Sequence, residues 1–185
     1  MIPSRFRLTL AAAHLRRGGV LAYPTEAVFG LGCDPFSASS VANLLALKQR
    51  SDAKGFIVIA GSIDQIADLV RIPSQDAEAR LLRDWPGPVT YILPAARDVP
   101  DWLTGGRSTL AVRVTAHPVV AALCGAYGGP LISTSANLSG QPPARTRAAV
   151  RRRFGDAVQL LPGELGGTAR PTPIYDAATG TLLRR

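Results

Sequence analysis

The sequence predicts an α/β fold: a single domain with one twisted mixed sheet flanked by helices. Short apolar runs bounded by glycine and proline alternate irregularly with segments of helical periodicity, the pattern of a mixed sheet rather than of a bundle. At 185 residues the chain is near the usual size of one domain and can bury a substantial core. No internal repeat and no long polar linker divides it.

Each element follows from local signals. Apolar periodicity predicts a helix over about Leu8–Arg17, ended by Gly18-Gly19, and then a short strand at Val20–Tyr23 closed by Pro24. Ser39 or Ser40 can cap a helix running to about Gln49. Gly55–Ala60 has the continuous apolar character of a strand buried on both faces. Ser62 and Gln65 have the spacing of a capping box and predict a helix to about Val70. A further helix is expected over Ser74–Arg83, strands at Val89–Leu93 and Thr109–Val114, and a helix over Pro118–Tyr127. Pro130-Leu131-Ile132 reads as a short buried strand, and a helix begins at about Thr146. Two short strands, Pro173–Tyr175 and Thr181–Arg184, close the pattern around an Ala-Thr-Gly turn.

Composition narrows the function. With 46% hydrophobic and 18% charged residues the chain is globular rather than disordered. No apolar run approaches the roughly 20 residues that span a bilayer, so no membrane association is expected. The N-terminal stretch, broken by His14, Arg16 and Arg17, is not a secretory signal, and a cytoplasmic location is the expectation. Cys33 and Cys124 lack metal-ligand spacing and read as reduced packing residues, and no permanent metal site is expected. The net charge of +8 calls for a polyanionic partner, a nucleotide or a nucleic acid. The densest basic run holds five arginines between Arg145 and Arg153; it is either an RNA-contacting helix or a solvated one.

Two clusters carry the chemistry. Lys48-Gln49-Arg50 sets two cations at the end of a helical stretch, and Ser133-Thr134-Ser135-Ala136-Asn137 gathers hydroxyls and an amide after the strand at 130–132. Cations neutralise phosphate oxygens and hydroxyls orient them, so the two together describe a pocket for a nucleoside triphosphate. Lys48 and Lys54 are the only lysines among 21 basic residues, and they flank Arg50; this is either a phosphate-binding set or chance placement on a solvated helix end. Pro24 to Asp34, with Gly30 and Gly32, reads as a ligand loop at a strand's carboxyl end or as an ordinary turn; it is neither a P-loop nor a dinucleotide fingerprint. Trp85-Pro86-Gly87-Pro88 is a rigid structural corner. Arg113, inside an apolar strand, needs an anionic partner, which is a ligand carboxylate or an internal acid. His14 and His117 read as packing or capping groups, and Ser135 lacks the surroundings of a hydrolase nucleophile.

Five segments in order, Pro-Thr-Glu-Ala-Val-Phe-Gly-Leu-Gly, Lys-x-Arg, Trp-Pro-Gly-Pro-Val-Thr, Leu-Ala-Val-Arg-Val and Ser-Thr-Ser-Ala-Asn-Leu-Ser-Gly, resemble the YrdC/TsaC family of threonylcarbamoyl-AMP synthases in its short form. The resemblance implies a YrdC-like fold and a reaction in which L-threonine, bicarbonate and ATP give threonylcarbamoyl-AMP and pyrophosphate. It implies ATP binding by Lys48, Arg50, Lys54, Thr109, Ser135, Asn137 and Arg184, with Lys48 and Arg50 catalytic. It places threonine near Thr25, Arg113, Ser133 and Thr172. Mg²⁺ would arrive with ATP, and the product would pass to separate transferase proteins that modify tRNA. Ser51, Ala27 and Pro173 depart from the family's pattern. The competing reading is an RNA-binding or ribosome-assembly module, for which aromatic content of 6% is low and the Ser-Thr-Ser-Ala-Asn cluster has no role.

Overall fold

The computed structural model describes residues 2–184. Among them are nine strands: β1 (Leu21–Pro24), β2 (Phe29–Gly32), β3 (Ile57–Ala60), β4 (Thr90–Pro94), β5 (Thr109–Val114), β6 (Leu131–Ser135), β7 (Gln159–Leu160), β8 (Ile174–Asp176) and β9 (Leu182–Arg184). They form one sheet in the order β7-β1-β2-β6-β3-β5-β4-β8-β9. β1 with β7, β3 with β5 and β4 with β8 are parallel pairs, and the other pairs are antiparallel, so the sheet is mixed.

Side chains alternate across this sheet and make two cores. Ala22, Val58, Val112 and Ile132 pack on one face against α2 (Ala38–Lys48), α3 (Gln75–Asp84) and α6 (Arg147–Phe154). Leu21, Tyr23, Ile59 and Leu131 pack on the other face against α1 (Arg5–Arg16) and α5 (Pro118–Tyr127). A short α4 (Asp101–Thr104), with no signal in the sequence pattern, precedes β5. Helix starts follow hydroxyl caps: Ser37, Ser74 and Thr146 accept from the backbone N–H three residues on. Pro118 opens α5, and Gly128, at φ 88°, ends it.

Several sequence expectations are corrected. α1 starts three residues earlier than periodicity suggests, at Arg5, with Ser4 as its N-cap. The cap of α2 is Ser37; Ser39 and Ser40 lie in its first turn. The Ser62–Gln65 box opens no α-helix. The Gln65 side chain instead accepts from Gly61 N–H and donates to Cys124 C=O, leaving only a 3₁₀ turn at Asp64–Ile66. Gly30 and Gly32 belong to strand β2, so the loop shrinks to residues 25–28. A Cβ on Gly32 would lie 2.4 Å from Ile132 O and 2.8 Å from the Tyr23 ring, so that glycine makes room for the Tyr23 ring. Ser133, Thr134 and Ser135 lie within β6 rather than after it.

Residues 161–173 link β7, at one sheet edge, to β8, next to the other edge. On the way Gly166 N–H donates to Thr25 O at 3.0 Å and Thr168 N–H to Glu26 O at 3.0 Å. The connection thus straps the β1–β2 turn. Among the described residues no helix is long and apolar enough to cross a membrane.

Candidate active site

α1 and α5 cover only part of their face of the sheet. Beyond them, register places Ile92, Ala111, Ile57 and Ser133 in one row across β4, β5, β3 and β6. All four line a cavity of about 710 Å³, a size that suits a small-molecule ligand. The floor is therefore apolar sheet except for the Ser133 hydroxyl, and most of the polar chemistry enters from strand ends and loops.

The first polar group sits where α2 ends. Lys48 is the last residue of α2, and Gln49 turns left-handed at φ 50°, separating it from Arg50. Lys48 is 3% exposed. Its ammonium donates to Ser135 O, to Asn137 O at 2.9 Å and to Asn137 Oδ1 at 3.3 Å. Burial lowers its pKa to about 8, helped by the charges of Arg50 and Arg153. Arg50 donates to Thr134 Oγ1 at 3.2 Å and Gly55 O at 2.6 Å, and its guanidinium lies 4.9 Å from the Phe56 ring centroid. Its Nε is buried without a hydrogen-bond partner. Burial lowers the Arg50 pKa as well. Ser135 Oγ donates to Asn137 Oδ1 at 2.6 Å.

The second polar group surrounds Arg113, 5% exposed on β5. Its guanidinium donates to Thr172 Oγ1 at 2.6 Å and pairs with Glu26 Oε2 at 3.5 Å, while its Nε has no partner. Glu26 Oε1 accepts from Thr115 Oγ1 at 2.6 Å. Of the two anions the sequence allowed for Arg113, the internal acid is present, and it is Glu26. Glu26 is itself buried and does not line the cavity, whereas Arg113 does. Beside it, burial lowers the pKa of His117, whose Nε2 lies 3.1 Å from Glu164 O.

Thr25, Lys48, Arg50, Lys54, Thr109, Arg113, Ser133, Ser135, Asn137, Thr172 and Arg184 all line this one cavity, although they come from six separate regions of the chain. Lys54 and Arg184 are exposed. Thr25 Oγ1 donates to Val28 O at 2.7 Å, which ties the short β1–β2 loop. The Trp85 corner does not line the cavity; Trp85 Nε1 donates to Val89 O at 2.7 Å and the ring packs in the core. Sequence reading missed Arg107, which lines the wall, and gave Thr134 of the Ser133–Asn137 cluster no role of its own, whereas its hydroxyl accepts from Arg50. It also missed Arg153, placed in an exposed run but turned inward to Ala136 O and Pro142 O at 2.8 and 2.9 Å. Spacing gave no signal for Arg107 or for the inward turn of Arg153.

With Lys48, Arg50, Lys54, Arg107, Arg113 and Arg184 the lining carries six cations, and no carboxylate lines it among the described residues. Such a wall favours a polyanion, with a second, smaller anion at Arg113.

A model of the Sua5/YciO/YrdC family, described as "Telomere recombination", matches residues 13–185. A threonylcarbamoyl-AMP synthase of Halorhodospira halophila is 58% identical over 182 residues, 97% of this chain and 95% of the relative. Among solved structures, P. abyssi Sua5 complexed with L-threonine superposes with a TM-score of 0.92 at 29% identity, over 100% of this chain and 55% of that one. E. coli YciO superposes with a TM-score of 0.86 at 26% identity, over 99% of this chain and 90% of that one.

Proposed function

The chain belongs to the Sua5/YciO/YrdC family, and from that premise we propose that it makes threonylcarbamoyl-AMP from L-threonine, bicarbonate and ATP. The observation that carries the reading is the cavity itself: a wall of six cations, with no carboxylate among the described residues, that contains the buried Arg113 with its Nε unpartnered and Thr172 Oγ1 at 2.6 Å. The relative bound to L-threonine shares this fold over the whole chain.

In this reading Arg113 receives the threonine carboxylate, with Thr25, Ser133 and Thr172 around the amino acid. Arg50, Lys54, Thr109 and Arg184 face the nucleotide, and Ser135 and Asn137 shape the turn beside it. Mg²⁺ would arrive with ATP and supply charge neutralisation there, since no carboxylate lines the wall among the described residues to hold a resident ion. Threonine's amine attacks bicarbonate to give a carbamate and water. A carbamate oxygen then attacks the α-phosphorus, and the bond to pyrophosphate breaks. Holding two anions in line while cations neutralise the growing charge is sufficient for this chemistry, so no protein nucleophile is needed. The product passes to separate transferase proteins that act on tRNA in the cytoplasm. Direct contact with tRNA would run through exposed Arg147, Arg151 and Arg152 on α6.

The test is pyrophosphate release from ATP by the purified chain with threonine and bicarbonate added singly and together. Release only when both are present is the expected result. Turnover indifferent to threonine, or salt-sensitive RNA binding without turnover, would sink the reading.

A further inference from the structure

An ammonium has three N–H donors, and in Lys48 all three are engaged by Ser135 O, Asn137 O and Asn137 Oδ1. The Lys48 carbonyl in turn accepts from Ser139 N–H at 3.0 Å. Asn137 is saturated as well: its Oδ1 accepts from Ser135 and Lys48, and its Nδ2 donates to Leu138 O at 2.9 Å and Gln141 O at 2.7 Å. Behind the same turn, outside the cavity lining, Arg153 of α6 holds Ala136 O and Pro142 O. Three side chains thus bind the carbonyls of residues 135, 136, 137, 138, 141 and 142, six of the eight in this stretch.

A phosphate oxygen is an acceptor, and so is a carbonyl oxygen; a turn lining a triphosphate pocket must keep its carbonyls pointed elsewhere. Drawing Lys48 away to a phosphate would break all three bonds at once: Ser135 O would keep only Asn137 N–H at 2.9 Å, and Asn137 O would lose the Lys48 donor. Arg50 differs, because its Nε remains unengaged.

We infer that Lys48, Asn137 and Arg153 are positioning residues: they hold the carbonyls of the 135–142 turn, Lys48 and Asn137 from the cavity wall and Arg153 from outside it, and none of them donates to the nucleotide. The inference rests on the adenylate-forming reading and changes the role of Lys48 within it, from a phosphate ligand to the anchor of the turn. It also gives Arg153, which lies outside the cavity lining, a part in nucleotide binding.

Steady-state kinetics of Lys48→Met, Arg153→Met, Arg153→Lys and the Lys48→Met/Arg153→Met double variant test this, with wild type run beside them. Wild type without threonine- and bicarbonate-dependent turnover would defeat the functional reading, whatever the variants do. Given wild-type turnover, both methionine variants should raise KM for ATP about tenfold, the equivalent of one net hydrogen bond to a charged group. KM for threonine should stay within about twofold, and Arg153→Lys should recover most of the loss. The double variant should lose clearly less than the product of the single losses, because both break one structure. An Arg153→Met enzyme with unchanged KM for ATP overturns the inference, and so do single losses that multiply in full, which would make Lys48 an independent contact. Should Lys48→Met fail to fold, as judged by circular dichroism, the Arg153→Met and Arg153→Lys pair still decides. A raised KM for ATP rescued by lysine supports the inference; an unchanged one overturns it.

Discussion

At the scale of single residues, Arg113 shows how the protein keeps a buried cation ready for an anion. Glu26 at 3.5 Å offsets its charge without a close hydrogen bond, and Thr172 fixes one arm of the fork. A ligand carboxylate can then meet the guanidinium without displacing a tight internal pair. Lysine at this position keeps the charge but loses the two-pronged geometry. Arg113→Lys should therefore raise KM for threonine by roughly tenfold or more while KM for ATP stays near wild type. Separate titrations of the two substrates check this, and a weakened ATP site beside an intact threonine site would reverse the assignment. That Lys48 and Arg50 line a pocket was legible from the residue types alone. The partners of Lys48 were not, because Ser135 and Asn137 lie 87 and 89 positions away and only the pairing of β6 with its neighbours brings them close.

At the scale of elements, local signals worked where one segment decides its own conformation. β5 spans Thr109–Val114 and α5 spans Pro118–Tyr127, both as read from the sequence. They failed at Gln65, whose Oε1, the acceptor a capping box would use, accepts from Gly61 N–H while its Nε2 is held by the distant Cys124 O. The glycines of β2 misled for a similar reason: the ring they accommodate belongs to Tyr23 on the paired strand. In α6, Val150 and Phe154 fill the core and Arg153 bonds the turn, leaving Arg147, Arg151 and Arg152 exposed. Replacing these three with glutamine should leave threonylcarbamoyl-AMP synthesis nearly unchanged. RNA affinity should weaken, with a salt slope smaller by roughly one unit or less for each lost phosphate contact. Filter binding across a salt series measures it. Full RNA affinity with an unchanged slope would mean that α6 is merely solvated.

At the scale of the whole molecule, buried ionisable groups set how stability responds to pH. Lys48 falls from 10.5 to about 8 on folding, so between those values the unfolded chain holds more protons and rising pH favours the folded state. Cys33 and Cys124, pushed by burial from 9.0 up to about 12, act in the opposite sense above pH 9. The Lys48 contribution is isolated by comparing wild type with Lys48→Met: wild type should gain stability relative to the variant between pH 7.5 and 9.5. Denaturant midpoints at the two values test this, and a constant gap would refute it. The strap from β7 to β8 has one more consequence, for the order in which the protein is made. Thr172 and Arg184 are synthesised after β1 to β6. Until that final stretch crosses the sheet, the nascent chain holds an open cationic groove without the hydroxyl that fixes Arg113. Synthesis therefore completes the wall around Arg113 late, when the strap brings Thr172 Oγ1 to 2.6 Å from its guanidinium.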